Sequence, residues 1–146
     1  MNKRLLFSMV VMVVLVWLAG CCQSTTTCTS LIDDLRNEGA TVESGGLINQ
    51  SFFSVQGRII TINGSDVRVF EYENEVAAES DAALVSDDGL QVGNVTEGRI
   101  TRITFLGWVT SPHFFMDGRV IVIYVGDDVG VLSILTKVLG AQFAGL

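Results

Sequence analysis

The chain has 146 residues, 49% of them apolar, and carries a net charge of −7. Sixteen acids against nine lysines and arginines argue against nucleic acid, whose phosphates must be neutralised by cations. The length allows one domain with a core of its own, not two of ordinary size.

Lys3 and Arg4 open the chain, and residues 5–17 are apolar except for Ser8. A charged start, a short apolar run and small residues at 19 and 20 describe a secretory signal. A spanning helix needs roughly 20 apolar residues, and here the polar tract 23–30 intervenes. A short signal anchor is the alternative. The segment Leu18-Ala19-Gly20-Cys21 resembles the lipobox of bacterial lipoproteins: a leucine three positions before a cysteine, with small residues between. The resemblance implies a diacylglyceryl group on Cys21, cleavage just before it and acylation of the new amino end. Two or more acyl chains anchor a protein stably, where one does so marginally.

The expected organisation is therefore a cleaved signal over 1–20, the lipidated Cys21 with a flexible tether over 21–30, and one α+β domain over 31–146. The domain would stand outside the cytoplasm on the cell membrane or the outer membrane. The residue after the acylated cysteine is Cys22 rather than the aspartate that marks inner-membrane retention in the family. Cys22 and Cys28 either pair or stay free. Without residues 1–20, seven basic side chains face sixteen acids, a net charge of −9. That charge opposes flat docking on an anionic bilayer.

Ser30 reads as the N-cap of a short helix over 31–38, with Leu31, Ile32 and Leu35 on one side and Gly39 as its stop. A brief strand over 40–43 is expected to break at Ser44-Gly45-Gly46. The stretch 53–62 is strongly β-branched toward its end, and Asn63-Gly64 is a hairpin signal leading to a strand over 67–72. Asn74 can cap a helix over 75–85. Residues 87–98 read as an acidic, glycine-containing loop, and 99–109 as an alternating strand. Pro112 cannot sit inside a central ladder, so a bend or a strand edge falls there. The near-continuous apolar run 119–125 suits a strand covered on both faces. Asp127 or Asp128 caps a last helix whose Val131, Leu132, Leu135, Val138 and Leu139 keep helical spacing, with Gly140 as its stop.

The runs 67–72 and 120–125 each follow a glycine turn and lead into a helix. They suggest a doubled strand–strand–helix unit, or two units obeying the same local rules. Either way the expected architecture is an antiparallel sheet with helices on one face. The stretches FFSVQGRIITINGSDVRVFEYE, SPHFF, RVIVIYVGDD and LGAQFAG also resemble, in outline, small uncharacterised bacterial lipoproteins. That resemblance implies architecture and anchoring and no catalytic residue.

Chemistry-bearing motifs are sparse. His113 is the one histidine, so a Ser–His–Asp arrangement has to use it, and no Gly-x-Ser-x-Gly elbow accompanies it. Asp87-Asp88 and Asp127-Asp128 lack the alternating acids of a calcium loop. No metal, cofactor or catalytic residue is expected. Trp108, His113, Phe114 and Phe115 gather near one bend and form either a partner or ligand patch or an end of the core. The sequence thus reads as a non-catalytic binding or interaction module of the envelope, held to the membrane through Cys21, with an envelope protein or a small ligand as partner. The alternatives are an assembly accessory of an envelope complex and a hydrolase using His113.

Overall fold

Thr27 starts the first helix. In the computed structural model, which describes residues 26–146, its side chain accepts from the Ser30 amide while the Ser30 hydroxyl closes back on the Thr27 amide. This reciprocal box sets α1 at Cys28–Asn37, three residues ahead of the expected start. Ser30 becomes the third helical residue instead of the cap. Leu31 and Leu35 are fully buried beneath α1. Gly39, at φ +88°, ends the turn as expected. The Thr26 hydroxyl also donates to Asp117, so the body of the domain begins by residue 26. Residues 21–25, and Cys21 and the signal with them, lie outside the described residues.

Eight strands and two further helices follow: β1 Val42–Ile48, β2 Gly57–Ile62, β3 Ser65–Glu71, α2 Glu75–Ala82, β4 Gln91–Thr96, β5 Arg99–Phe105, β6 Pro112–Asp117, β7 Val120–Val125, α3 Val129–Leu139, and the two-residue β8 Ala144–Gly145. Six of the strands form an antiparallel sheet in the order β1-β2-β3-β7-β6-β8. The Gly45-Gly46 pair does not end β1. The register against β2 shifts between Ser44 and Leu47, and the strand passes through the irregularity. Asn63 (φ +51°) and Gly64 (φ +87°) make the primed turn that their sequence announced. Pro112 takes the first position of β6, where a missing N–H is tolerated.

The class is α+β, with three helices packed against the sheet. β7 is apolar on both faces, and β3 adds Val67 and Val69 to one and Phe70 to the other, which decides where the helices go. Val67, Val69, Val120 and Val122 face α1 and α3, joined by Phe115 from β6. Phe70, Tyr72, Ile121 and Ile123 face the other way, onto α2 and Phe114. α1 and α3 share one face, and α2 covers the opposite one, because a strand pair apolar on both sides exposes core unless each side is covered. The doubling likewise stops at the strands. β2–β3 and β6–β7 lie side by side, with Val69 opposite Val122, but the helices that follow them go to opposite faces.

Residues expected as a loop over 87–98 contain a strand. β4 pairs with β5 as a separate hairpin whose turn residues are Glu97 (φ +53°) and Gly98 (φ +74°). Gly93 and Asn94 disguise this strand, since both are poor strand formers. At the hairpin base, Asp88 accepts from the Ser86 hydroxyl and the Leu90 amide. These bonds hold its carboxyl below the ordinary carboxylate range. A lowered folded-state value favours folding at neutral pH, and that contribution fades as acid titrates the group through its lowered value. The Trp108 indole donates to Gly89 in the same loop at 2.8 Å. The Trp108 emission is therefore expected to change below the ordinary carboxylate range, before global unfolding. Asp88→Asn should remove that early step in an acid titration followed by fluorescence.

Candidate functional site

The structure separates the aromatic cluster that the sequence brought together. Alternation along β6 sends Phe114 and Phe115 to opposite faces, where they are 0% and 1% exposed. Trp108 is half-buried and packs edge-on against Phe114 and Phe52, with ring centroids 6.0 and 6.3 Å apart. His113 is 6% exposed. The proposed patch of Trp108, His113, Phe114 and Phe115 is thus no open surface. Its rings belong to the cores on both sides of the sheet.

His113 sits between β7 and β8 through its pairings with Tyr124 and Gly145. Its Nδ1 lies 2.7 Å from Gln142 Oε1, and its ring stacks on Tyr124 with centroids 6.1 Å apart. Nε2 is buried without a hydrogen-bond partner. Neither a serine nor an aspartate is joined to the ring, so a triad has no second member among the described residues. No group of three His, Cys, Asp or Glu side chains that could hold a metal gathers among the described residues.

A concave site does form elsewhere, from residues no linear motif connects. It lies beside the first turn of α1, at the end of the sheet's α1 face where Glu71 stands. The cavity has a volume of about 400 Å³. That lies within the 300–1,000 Å³ range of small-molecule sites. Its wall uses a single row across three strands: Leu47, Arg58 and Val69 are register partners on β1, β2 and β3. Ile32 and Cys28 of α1 close it from above, and Glu71 stands at one end.

Electrostatics divide the lining. Glu71 is satisfied: it pairs with Arg119 and accepts from the Cys28 amide at 3.2 Å. Burial first, and the Glu71 charge second, push the Cys28 thiol above its ordinary value, against a smaller opposing pull from Arg58. Cys28 therefore lines the cavity as a neutral thiol. Arg58 is exposed and has no ion-pair or hydrogen-bond partner for its guanidinium among the described residues. Arg58 thus brings a cation without a counter-ion among the described residues into the lining of the cavity.

Sequence reasoning missed this site because its residues are scattered from 28 to 71 and none is unusual alone. The one available signal was Arg58 in a strand otherwise apolar on that face. Comparison with protein-family models, curated proteins and solved structures gives no match.

Proposed function

We propose that the chain is a lipid-anchored bacterial envelope lipoprotein whose domain is a non-catalytic binding module. The observation that carries this reading is Leu18-Ala19-Gly20-Cys21 placed a few residues ahead of a folded body that begins by Thr26. Thr26 lies five positions after Cys21, at most roughly 18 Å when extended. A lipid on Cys21 would hold the domain close above a bilayer. The binding role is supported by the cavity with its free Arg58, and the non-catalytic role by the packing of His113 against Gln142 and Tyr124.

Cys21→Ala is expected to release the protein from the membrane fraction, or to leave it as an uncut precursor that retains Met1. Intact mass measurement of protein extracted from its native envelope checks this. The wild-type chain should begin at Cys21 and carry the added mass of its acyl groups. A wild-type chain that keeps Met1 and has no added mass overturns the anchor.

One further observation favours the second reading, an accessory that works against a membrane partner. Ile103, Phe105 and Val109 are 56%, 77% and 93% exposed along and just after β5. Ile103 and Phe105, alternate residues of β5, present exposed apolar side chains on one face of the hairpin, which suits a contact site.

A further inference from the structure

The cavity beside α1 combines an apolar row with a charge that the protein does not use. Leu47 and Val69 flank Arg58 as cross-strand partners, so the three side chains leave the same face of the sheet side by side. Leu47 is 64% exposed although it is a leucine in a strand. Ile32 faces it from α1 across the cavity. Glu71 does not cancel Arg58, because Arg119 already pairs with that carboxylate. A ligand matching this lining needs one anionic group for the guanidinium and an apolar body for Ile32 and Leu47. A bare anion leaves the apolar row wet, and a neutral hydrocarbon leaves the cation unmatched.

We propose that this cavity binds a small anionic amphiphile, a phosphate monoester or carboxylate with a short alkyl chain, its charge on Arg58 and its chain between Leu47 and Ile32. This names a ligand class for the binding module proposed above. It rests on that reading only for the source of the ligand, since the cavity itself needs no anchor. Cys28 lies seven residues from Cys21, at most roughly 25 Å when extended, so an anchored domain opens this cavity near lipid. The same chemistry is offered by a lipid headgroup at the bilayer and by a free amphiphile.

Cys28 provides the readout, because it lines the cavity and is partly accessible. The mature protein, held in phosphatidylcholine nanodiscs under reducing conditions, is alkylated with iodoacetamide, and each cysteine is followed by the fragment-ion masses of the peptide that carries it. Octyl phosphate is expected to slow alkylation of Cys28 and leave Cys22 unaffected. Arg58→Gln should raise the half-protecting concentration by about tenfold or more, the loss expected for a charge-assisted hydrogen bond. Arg58→Lys should recover part of it. Circular dichroism should show both variants folded, since Arg58 is exposed. Protection in nanodiscs doped with phosphatidic acid, without octyl phosphate, assigns the ligand to the bilayer. Protection by octyl phosphate alone assigns it to a free amphiphile, and either result supports the site.

Absence of protection in both arms overturns the proposal, as does equal protection in Arg58→Gln. Equal protection by octanol removes the role of the charge, and equal protection by inorganic phosphate removes the role of the chain; each overturns it. The same digest reports the mass of the Cys21 peptide. A bare Cys21 sinks the anchor and leaves the cavity test standing.

Discussion

Phe70→Ala is expected to lower the unfolding free energy by about 3–5 kcal/mol, a large part of the about 5–15 kcal/mol that holds an ordinary domain together. Phe70 is fully buried on the α2 face of β3. Its ring meets Phe53 edge-on at 4.9 Å, and Phe53 in turn reaches Tyr72 at 6.4 Å. Phe70 also covers Gly57, its register partner on β2. A Cβ added at Gly57 would fall 2.5 Å from the Phe70 ring. Truncation therefore removes a packing partner from Phe53 and uncovers a glycine in a strand. The pairing makes a second, sharper expectation. Gly57→Ala should cost about 1–3 kcal/mol by overpacking in the wild-type background. In a Phe70→Leu background that cost should largely vanish, because the clashing ring is gone. Urea denaturation of the four proteins in this cycle measures both. Independent, additive effects of Gly57→Ala and Phe70→Leu would contradict the contact.

Much of this fold was legible where local chemistry and tertiary packing agree. Asn63-Gly64, Asn74 and Asp128 each have one dominant local use, and each is found in it: turn, cap and cap. The run in β7 is buried on both faces, as its continuous apolar character required. Local reading failed where two solutions have similar local energy. Ser30 can cap, but so can Thr27, and the Thr27–Ser30 pair satisfies two amides reciprocally where Ser30 alone satisfies one. Gly45-Gly46 can end a strand or be absorbed as an irregularity, and pairing with β2 on both sides of it decides for the second. Glu97 gives no sign of a left-handed turn residue, yet Gly98 and the strands on either side impose one.

The candidate site was legible least. Trp108, His113, Phe114 and Phe115 are close in sequence, and closeness suggested a patch. Strand alternation separates neighbours by 180°, so Phe114 and Phe115 went to different cores. The cavity is the opposite case. Cys28, Leu47, Arg58 and Glu71 meet because the first turn of α1 is laid beside β1, β2 and β3. Where a helix is laid across a sheet is a tertiary quantity, without a signature in any one segment.

Asp81→Ala is the second large effect, and it acts through an unmatched polar group instead of a void. One carboxylate oxygen of Asp81, near the end of α2, accepts from three donors: the Ser54 amide at 2.7 Å, the Ser54 hydroxyl at 2.8 Å and the Tyr72 hydroxyl at 2.9 Å. Ser54 is exposed and can turn to water once the carboxylate is gone. Tyr72 is 2% exposed and cannot. Burial, with the bond to Asp81 and its charge, already pushes the phenol far above its ordinary value, so it stays a donor that needs an acceptor. The expected cost of Asp81→Ala is about 2–3 kcal/mol, the penalty for stranding a buried donor together with the loss of a charged acceptor. Adding Tyr72→Phe should recover a large share of it, because removing both partners of a buried hydrogen bond is far cheaper than removing one. Denaturant unfolding of the two single variants and the double variant tests this. A double variant that loses the full sum of both single costs would mean that Asp81 acts only through Ser54. Either way the segment 49–56 loses its polar tie to α2 and keeps the packing of Phe53. Gln56, which helps line the cavity, ends that segment, and its side chain donates to Asn49. Loss of the Asp81 tie should therefore also raise the alkylation rate of Cys28, linking the α2 face of the sheet to the cavity on the other.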